Sequence, residues 1–143
     1  MSLMARLIGL DYGTKRVGIA ETDDLQIIAS PLITIHSKDV IDYLIAYSQK
    51  HKLEAVIVGL PKNLNSSDTH ATGLVEQFVK HLRKKITPIK IILEDERFTS
   101  KMASQSMIMA GIKKRKRQEK GNLDKVSASL ILQSYLDRKS KGF

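Results

Sequence analysis

A chain of 143 residues and 16.1 kDa has the size of a single domain, able to bury roughly two-thirds of its unfolded surface around one core. Apolar residues make up 42% and charged residues 27%, a globular composition that excludes a disordered acidic tail or a fibrous repeat, and the lack of cysteine excludes disulfides, iron–sulfur clusters and zinc–thiolate sites. The 24 Lys and Arg against 15 Asp and Glu leave a net charge of +9, which draws such a domain to polyanions.

Met1-Ser2-Leu3 precedes a second methionine, so residues 1–3 read as an expression remnant and residues 4–143 as one domain. The start lacks the basic, apolar and small-residue regions of a secretion signal, and no apolar run approaches the roughly 18 residues of a membrane span. Leu7-Ile8-Gly9-Leu10 has the continuity of a strand buried on both faces, with Asp11 at its end. Gly13 permits a tight turn, after which Arg16 to Thr22 returns as an antiparallel partner. Asp23-Asp24 marks the next turn, and Leu25 to Ile35 reads as a third strand in which Pro31 signals an edge, a bend or an end.

The period then changes. Val40, Ile41, Leu44 and Ile45 share one face of a helix with Asp39 in its first turn and Ser37 as the expected N-cap. Ala55 to Leu60 is another buried strand, stopped by Pro61 and followed by a polar loop of Asn63, Asn65, Ser66, Ser67 and Asp68. Leu74, Val75, Phe78, Val79, Leu82 and Ile86 form the apolar stripe of a second helix, which Pro88 ends. Ile89 to Leu93 is a fifth strand running into Glu94-Asp95-Glu96-Arg97. Thr99 can cap a short helix with Met102, Ala103 and Met107 inside and Gly111 as its stop. Beyond it, six basic residues from Lys113 to Lys120 stand against the single Glu119, a local excess of +5. A last helix starts near Asn122 and carries a stripe of Leu123, Val126, Leu130, Ile131 and Ser134. The order βββαβαβαα predicts an α/β fold, a mixed five-stranded sheet with helices on its faces, because crossovers between parallel strands need helices.

Two buried strands end in carboxylates, Asp11 and Asp95-Glu96, and a third acid, Asp124, begins the last helix. Ligands gather at the carboxyl ends of strands in open α/β sheets. Three converging carboxylates, without Cys or clustered His, make a hard oxygen site suited to Mg²⁺ or Mn²⁺. Each acid also has a structural reading: turn chemistry for Asp11, the helix dipole for Asp124, and a solvated strand end paired with Arg97 for Glu94 to Glu96. Strand alternation does not choose between Asp95 and Glu96, since the strand is apolar on both faces. Gly9, Gly13 and Gly18 fit neither the dinucleotide fingerprint nor the P-loop, and His36, His51, His70 and His81 lack metal-ligand spacing.

Leu10 to Gly18 (LDYGTKRVG), Val58-Gly59-Leu60-Pro61, Asp95 to Ser100 (DERFTS) and Asp124 to Ala128 (DKVSA) recur in the order typical of the YqgF (RuvX) family, which the chain resembles along its full length. The resemblance implies an RNase H-like fold related to Holliday-junction resolvases, a cytoplasmic bacterial protein, and a nuclease for 5′ maturation of pre-16S rRNA in ribosome biogenesis. It places the family's acids on Asp11, on the pair Asp95-Glu96, and on Asp124. Phe98 and Ser127 stand where the family pattern commonly has Leu and Ala, and neither touches an acid position.

Given that fold, Asp11, Glu96 and Asp124 are the expected catalytic metal ligands for Mg²⁺ or Mn²⁺, with Asp95 in reserve. Lys15 and Arg97 are expected to neutralise phosphates near the acids, and Lys113, Lys114, Arg115, Lys116 and Arg117 to track a nucleic-acid backbone, against the plainer reading of a solvated loop. The expected partner is structured RNA, such as a ribosomal precursor, in preference to DNA. The alternatives are a resolvase acting on branched DNA and a non-catalytic RNA-binding assembly factor. Asp11 to Lys15 also resembles the phosphate-binding hairpin of actin-like and sugar-kinase ATP-binding proteins, but those close two such domains around the nucleotide.

Overall fold

Leu7, Ile8 and Leu10 are all fully buried, which requires cover on both sides of their strand, and β1 (Arg6–Tyr12) is accordingly the middle strand of a five-stranded sheet. The computed structural model describes residues 5–60, 70–95 and 120–140. The chain turns back into β2 (Arg16–Thr22) and again into β3 (Ala29–His36), passes a 3₁₀ turn (Ser37–Asp39) into α1 (Val40–Lys50), and returns in β4 (Leu53–Leu60). Helix α2 (His70–Lys85), strand β5 (Lys90–Asp95) and helix α3 (Lys120–Ser140) follow. The spatial order is β3-β2-β1-β4-β5, antiparallel across the first three strands and parallel from β1 through β4 to β5. This is the expected mixed sheet with helices on both faces, and parallel neighbours put the carboxyl ends of β1, β4 and β5 at one edge.

Alternation sorts the strand residues between two cores. Ile8, Leu10, Val17, Ile19, Val56 and Val58 face α1 and α2, whose Leu44, Tyr47, Val75, Phe78, Val79 and Leu82 complete one cluster. Leu7, Ala20, Ala55 and Ile57 face α3 and meet Ala128, Ile131, Leu132, Tyr135 and Leu136. Each fully buried aliphatic side chain contributes roughly 1.5–3 kcal/mol of transfer free energy, so both helix layers are needed to hold the sheet. The α3 side is lined by small residues, and the helix lies correspondingly close: a Cβ on Gly9 would stand 2.8 Å from both the carbonyl oxygen of Ala128 and the Cβ of Leu132.

Several local expectations need correction. The third strand begins at Ala29, because Asp23 prolongs the turn: its side chain accepts the amide of Ile27 at 2.8 Å, and its carbonyl accepts that of Gln26, which has φ of 58°. Leu25, Ile27 and Ile28, whose apolar character resembled a strand, are 60–63% exposed. Pro31 does mark an edge strand, beside a bulge that leaves Leu32 unpaired between Pro31 and Ile33. Ser37 caps no helix. His36 accepts the Lys38 amide at the 3₁₀ turn, α1 has Asp39 at its N-cap without a side-chain bond, and Ser37 turns its hydroxyl to the carbonyl of Thr14. The stripe of α2 is as expected, whereas α3 is rotated: Val126 and Leu130 are half-buried and Ala128, Leu132, Tyr135 and Leu136 join Ile131 in the core. The short helix expected between Thr99 and Gly111 lies outside the described residues. Among the described residues no helix is long and apolar enough to cross a membrane.

Candidate active site at the carboxyl end of the central strand

Asp11 follows Leu10 on β1 and shares the α3 face with Leu7 and Gly9, so its carboxyl points toward the helix layer at the strand's carboxyl end. Its cross-strand partner on β2 is Gly18. That glycine lets the helix in: a Cβ there would stand 2.1 Å from the carbonyl oxygen of Asp124 and 2.7 Å from the amide nitrogen of Lys125. The N-terminal part of α3 therefore rests on backbone next to Asp11, and this contact brings Asp124 to the strand end. The sequence signal for this contact is the place of Gly18 opposite Asp11 across the β1–β2 hairpin.

The two acids differ electrostatically. Burial, and then the charge of Asp124, push the Asp11 carboxyl up to about 7, because desolvation and a like charge both oppose ionisation. Asp124 is matched by Arg16, the first residue of β2, whose Nε donates to Oδ2 at 2.9 Å. Nothing in the sequence sets Arg16 apart as the partner of Asp124 from Lys15 beside it; the contact is tertiary. Both line a cleft of about 260 Å³ with Asp11, Tyr12, Gly13, Thr14 and Asp124. The loop between β1 and β2 is fixed at its base by the Gly13 amide on the Arg16 carbonyl and at its tip by Ser37, which donates its amide to Lys15 and its hydroxyl to Thr14. Tyr12 stacks on Phe78 of α2 with ring centroids 4.2 Å apart, anchoring the strand end from the other face.

On β5 the first acid after the apolar run is structural. Glu94 is only 3% exposed, accepts the Ser134 hydroxyl at 2.9 Å and pairs with Arg138, both on α3. It is thus a buried strap between sheet and helix, where a solvated strand end was one expectation; Ser134 and Arg138, four residues apart on one helix face, were its sequence trace. Because Glu94 and Ile92 face α3, Asp95 shares the opposite parity with Leu93 and falls on the face away from Asp11. Glu96, Arg97 and the run Lys113, Lys114, Arg115, Lys116 and Arg117 lie outside the described residues. Among the described residues no group of three His, Cys, Asp or Glu comes together as a metal site; Asp11 and Asp124 make a pair. A second cavity, of about 280 Å³, is lined by Arg6, Glu21 and Tyr47, whose polar groups bond one another.

The sequence matches the family described as RuvX: Holliday junction resolvase, over residues 5–138. Proteins carrying the name "Putative pre-16S rRNA nuclease" are similar along nearly the whole chain. That of Flavobacterium johnsoniae is 46% identical over 136 residues, covering 95% of this chain and 99% of the relative. That of Phocaeicola vulgatus is 45% identical over 136 residues, with 95% and 98% covered. Among solved structures, T. thermophilus RuvC in complex with Holliday junction substrate superposes with a TM-score of 0.54 at 12% identity, covering 94% of this chain and 96% of that one. The large terminase nuclease of phage G20c does so with a TM-score of 0.55 at 13% identity, covering 92% and 82%. These structural likenesses establish the RNase H-like fold.

Proposed function

The chain belongs to the RuvX family, a family of nucleases, and from that membership we propose that it hydrolyses phosphodiester bonds of ribosomal precursor RNA, in 5′-end maturation of pre-16S rRNA, in the cytoplasm. The observation that carries the site assignment is the convergence of Asp11 and Asp124 at the carboxyl end of β1.

The donor set fits a hard divalent cation. Both groups are carboxylates, and one is so disfavoured as an anion that it holds its proton to near neutrality unless positive charge is supplied. Asp11, Asp124 and Glu96 are the proposed ligands of Mg²⁺ or Mn²⁺. The parity of β5 supports Glu96 over Asp95, since Asp95 stands on the far face. Bound there, a divalent cation supplies water activation and charge stabilisation of the leaving oxygen in an in-line displacement.

The chain's own residues do the rest. Asp11 gives up its proton as the site loads, and its half-buried position at the cleft weakens the screening of its charge by bulk water. The loop of Thr14 and Lys15, fixed by Ser37, presents a cation at the cleft mouth for a backbone phosphate. Arg97 and the run Lys113, Lys114, Arg115, Lys116 and Arg117 are the further cations proposed to bind the nucleic acid, through its backbone and not its bases.

The testing experiment incubates the protein with precursor 16S RNA and with a four-way DNA junction, each with Mg²⁺, Mn²⁺ or EDTA. Metal-dependent shortening of the RNA is expected. Cleavage of the junction alone would make it a resolvase, as the family's description reads, and binding without products would make it an assembly factor.

A further inference from the structure

One guanidinium holds one of the two acids in the cleft. Arg16 reaches Asp124 Oδ2 through Nε at 2.9 Å, while among the described residues none forms an ion pair with Asp11. Its backbone is fixed at the start of β2 by pairing with His36 on β3 and by the Gly13 amide on its carbonyl. Its side chain, by contrast, is among the more exposed parts of the cleft wall, 43% accessible against 23% for Asp124. A fixed root and a loosely covered head describe a group that can leave its partner without moving the strand. Lys15 lines the same cleft, yet the contact falls to arginine, which cannot relieve a crowded site by losing its proton.

We propose that Arg16 is a resident counter-ion of the acid pair: it holds Asp124 while the site is empty, and a divalent cation must displace it from that carboxylate in order to load. The proposal rests on the divalent-cation reading above. A doubly charged ion needs the oxygen that Nε–H occupies, and a guanidinium at hydrogen-bond distance repels it, so the free energy of the Arg16–Asp124 contact is subtracted from the cation's apparent affinity. Arg16 thereby sets the metal concentration at which the site fills. Once released, its head stands beside Lys15 at the cleft mouth, with the planar donors suited to a phosphate.

The experiment is a Mg²⁺ titration of the melting temperature for the parent and Arg16→Gln. In EDTA the variant melts lower, because Asp124 is left uncompensated beside Asp11, and with Mg²⁺ it reaches its half-maximal shift at a concentration about two- to fivefold lower than the parent, the worth of one half-exposed ion pair. An equal or higher half-maximal concentration would overturn the proposal and make Arg16 a fixed support of Asp124. A parent without any Mg²⁺ response overturns the divalent-cation reading itself, and is seen without the variant. Should Arg16→Gln fail to fold, Arg16→Lys keeps the charge and removes the Nε donor. It is expected between parent and Gln values, and Mg²⁺ affinity equal to or weaker than the parent's would again overturn the proposal.

Discussion

The carbonyl oxygen of Asp124 passes 2.1 Å from the point where a Cβ on Gly18 would stand, closer than real Cβ contacts occur. Because Gly18 is also the cross-strand partner of Asp11, one missing side chain sets how near the helix acid comes to the strand acid. Gly18→Ala must therefore push the start of α3 off the sheet. The expected cost is about 1–3 kcal/mol of stability, as for other overpacked sites, together with a weaker Mg²⁺ response. Gly73→Ala is the control: nothing lies within 4 Å of its Cβ, and within α2 alanine is expected to be neutral or stabilising by up to ~1 kcal/mol. Denaturant melts of the two variants with and without Mg²⁺ check both statements.

The raised Asp11 carboxyl has a definite pH signature. In EDTA the folded state holds this proton up to about pH 7, whereas the unfolded chain releases it near 3.8. Between those values the native state binds more protons, so stability conferred by the neutral form is present below pH 3.8 and is lost as pH rises toward 7. Asp11→Asn removes that slope and is expected to be neutral or stabilising in EDTA at pH 8. Melts across pH 4–8 for both proteins measure it, and a parent curve without the extra decline would contradict the burial of Asp11 against a like charge.

Glu94 separates structure from chemistry. Glu94→Ala leaves the Ser134 hydroxyl and Arg138 without their buried acceptor, and about 2–3 kcal/mol of stability is expected to go with it, discounted for the exposure of Arg138. The Mg²⁺-dependent rise in melting temperature should persist, because Glu94 does not line the Asp11 cleft. A lost Mg²⁺ response in a folded Glu94→Ala protein would move the metal centre toward β5.

Replacing Lys113, Lys114, Arg115, Lys116 and Arg117 by Gln is expected to weaken nucleic-acid binding nearly uniformly across sequences. Each lost phosphate contact should lower the log–log salt slope by roughly 0.7–0.9. A salt titration with an unchanged slope would return the run to a solvated loop.

The sheet was legible because its signals are local: unbroken apolar runs at Leu7 to Leu10 and Ala55 to Leu60, and a helical stripe from Val75 to Ile86. Where reading failed, a tertiary contact or a side-chain bond decided. Leu25, Ile27 and Ile28 look like strand residues, but the Asp23 carboxylate holds Ile27 in a turn. Ser37 looks like a helix cap, but the β1–β2 loop takes its hydroxyl. The rotation of α3 follows from close approach to Gly9 and Gly18, which helix periodicity alone does not contain. In the site, Asp11 and Asp124 were legible as strand-end and helix-start acids, whereas Arg16 was hidden among basic residues and Glu94 among acids, since charge type says nothing of burial or partner.

The most direct measurement of the central claim, that Asp11 and Asp124 together form a divalent-cation site, is a Mg²⁺ titration of the melting temperature for the parent and for Asp11→Asn. At about 100 times its Kd the cation adds roughly 2.7 kcal/mol to the native state, a rise of several degrees for a domain of this size. The predicted result is that rise in the parent and none in Asp11→Asn. An equal response in both proteins would mean that Asp11 binds no metal, and would contradict the claim.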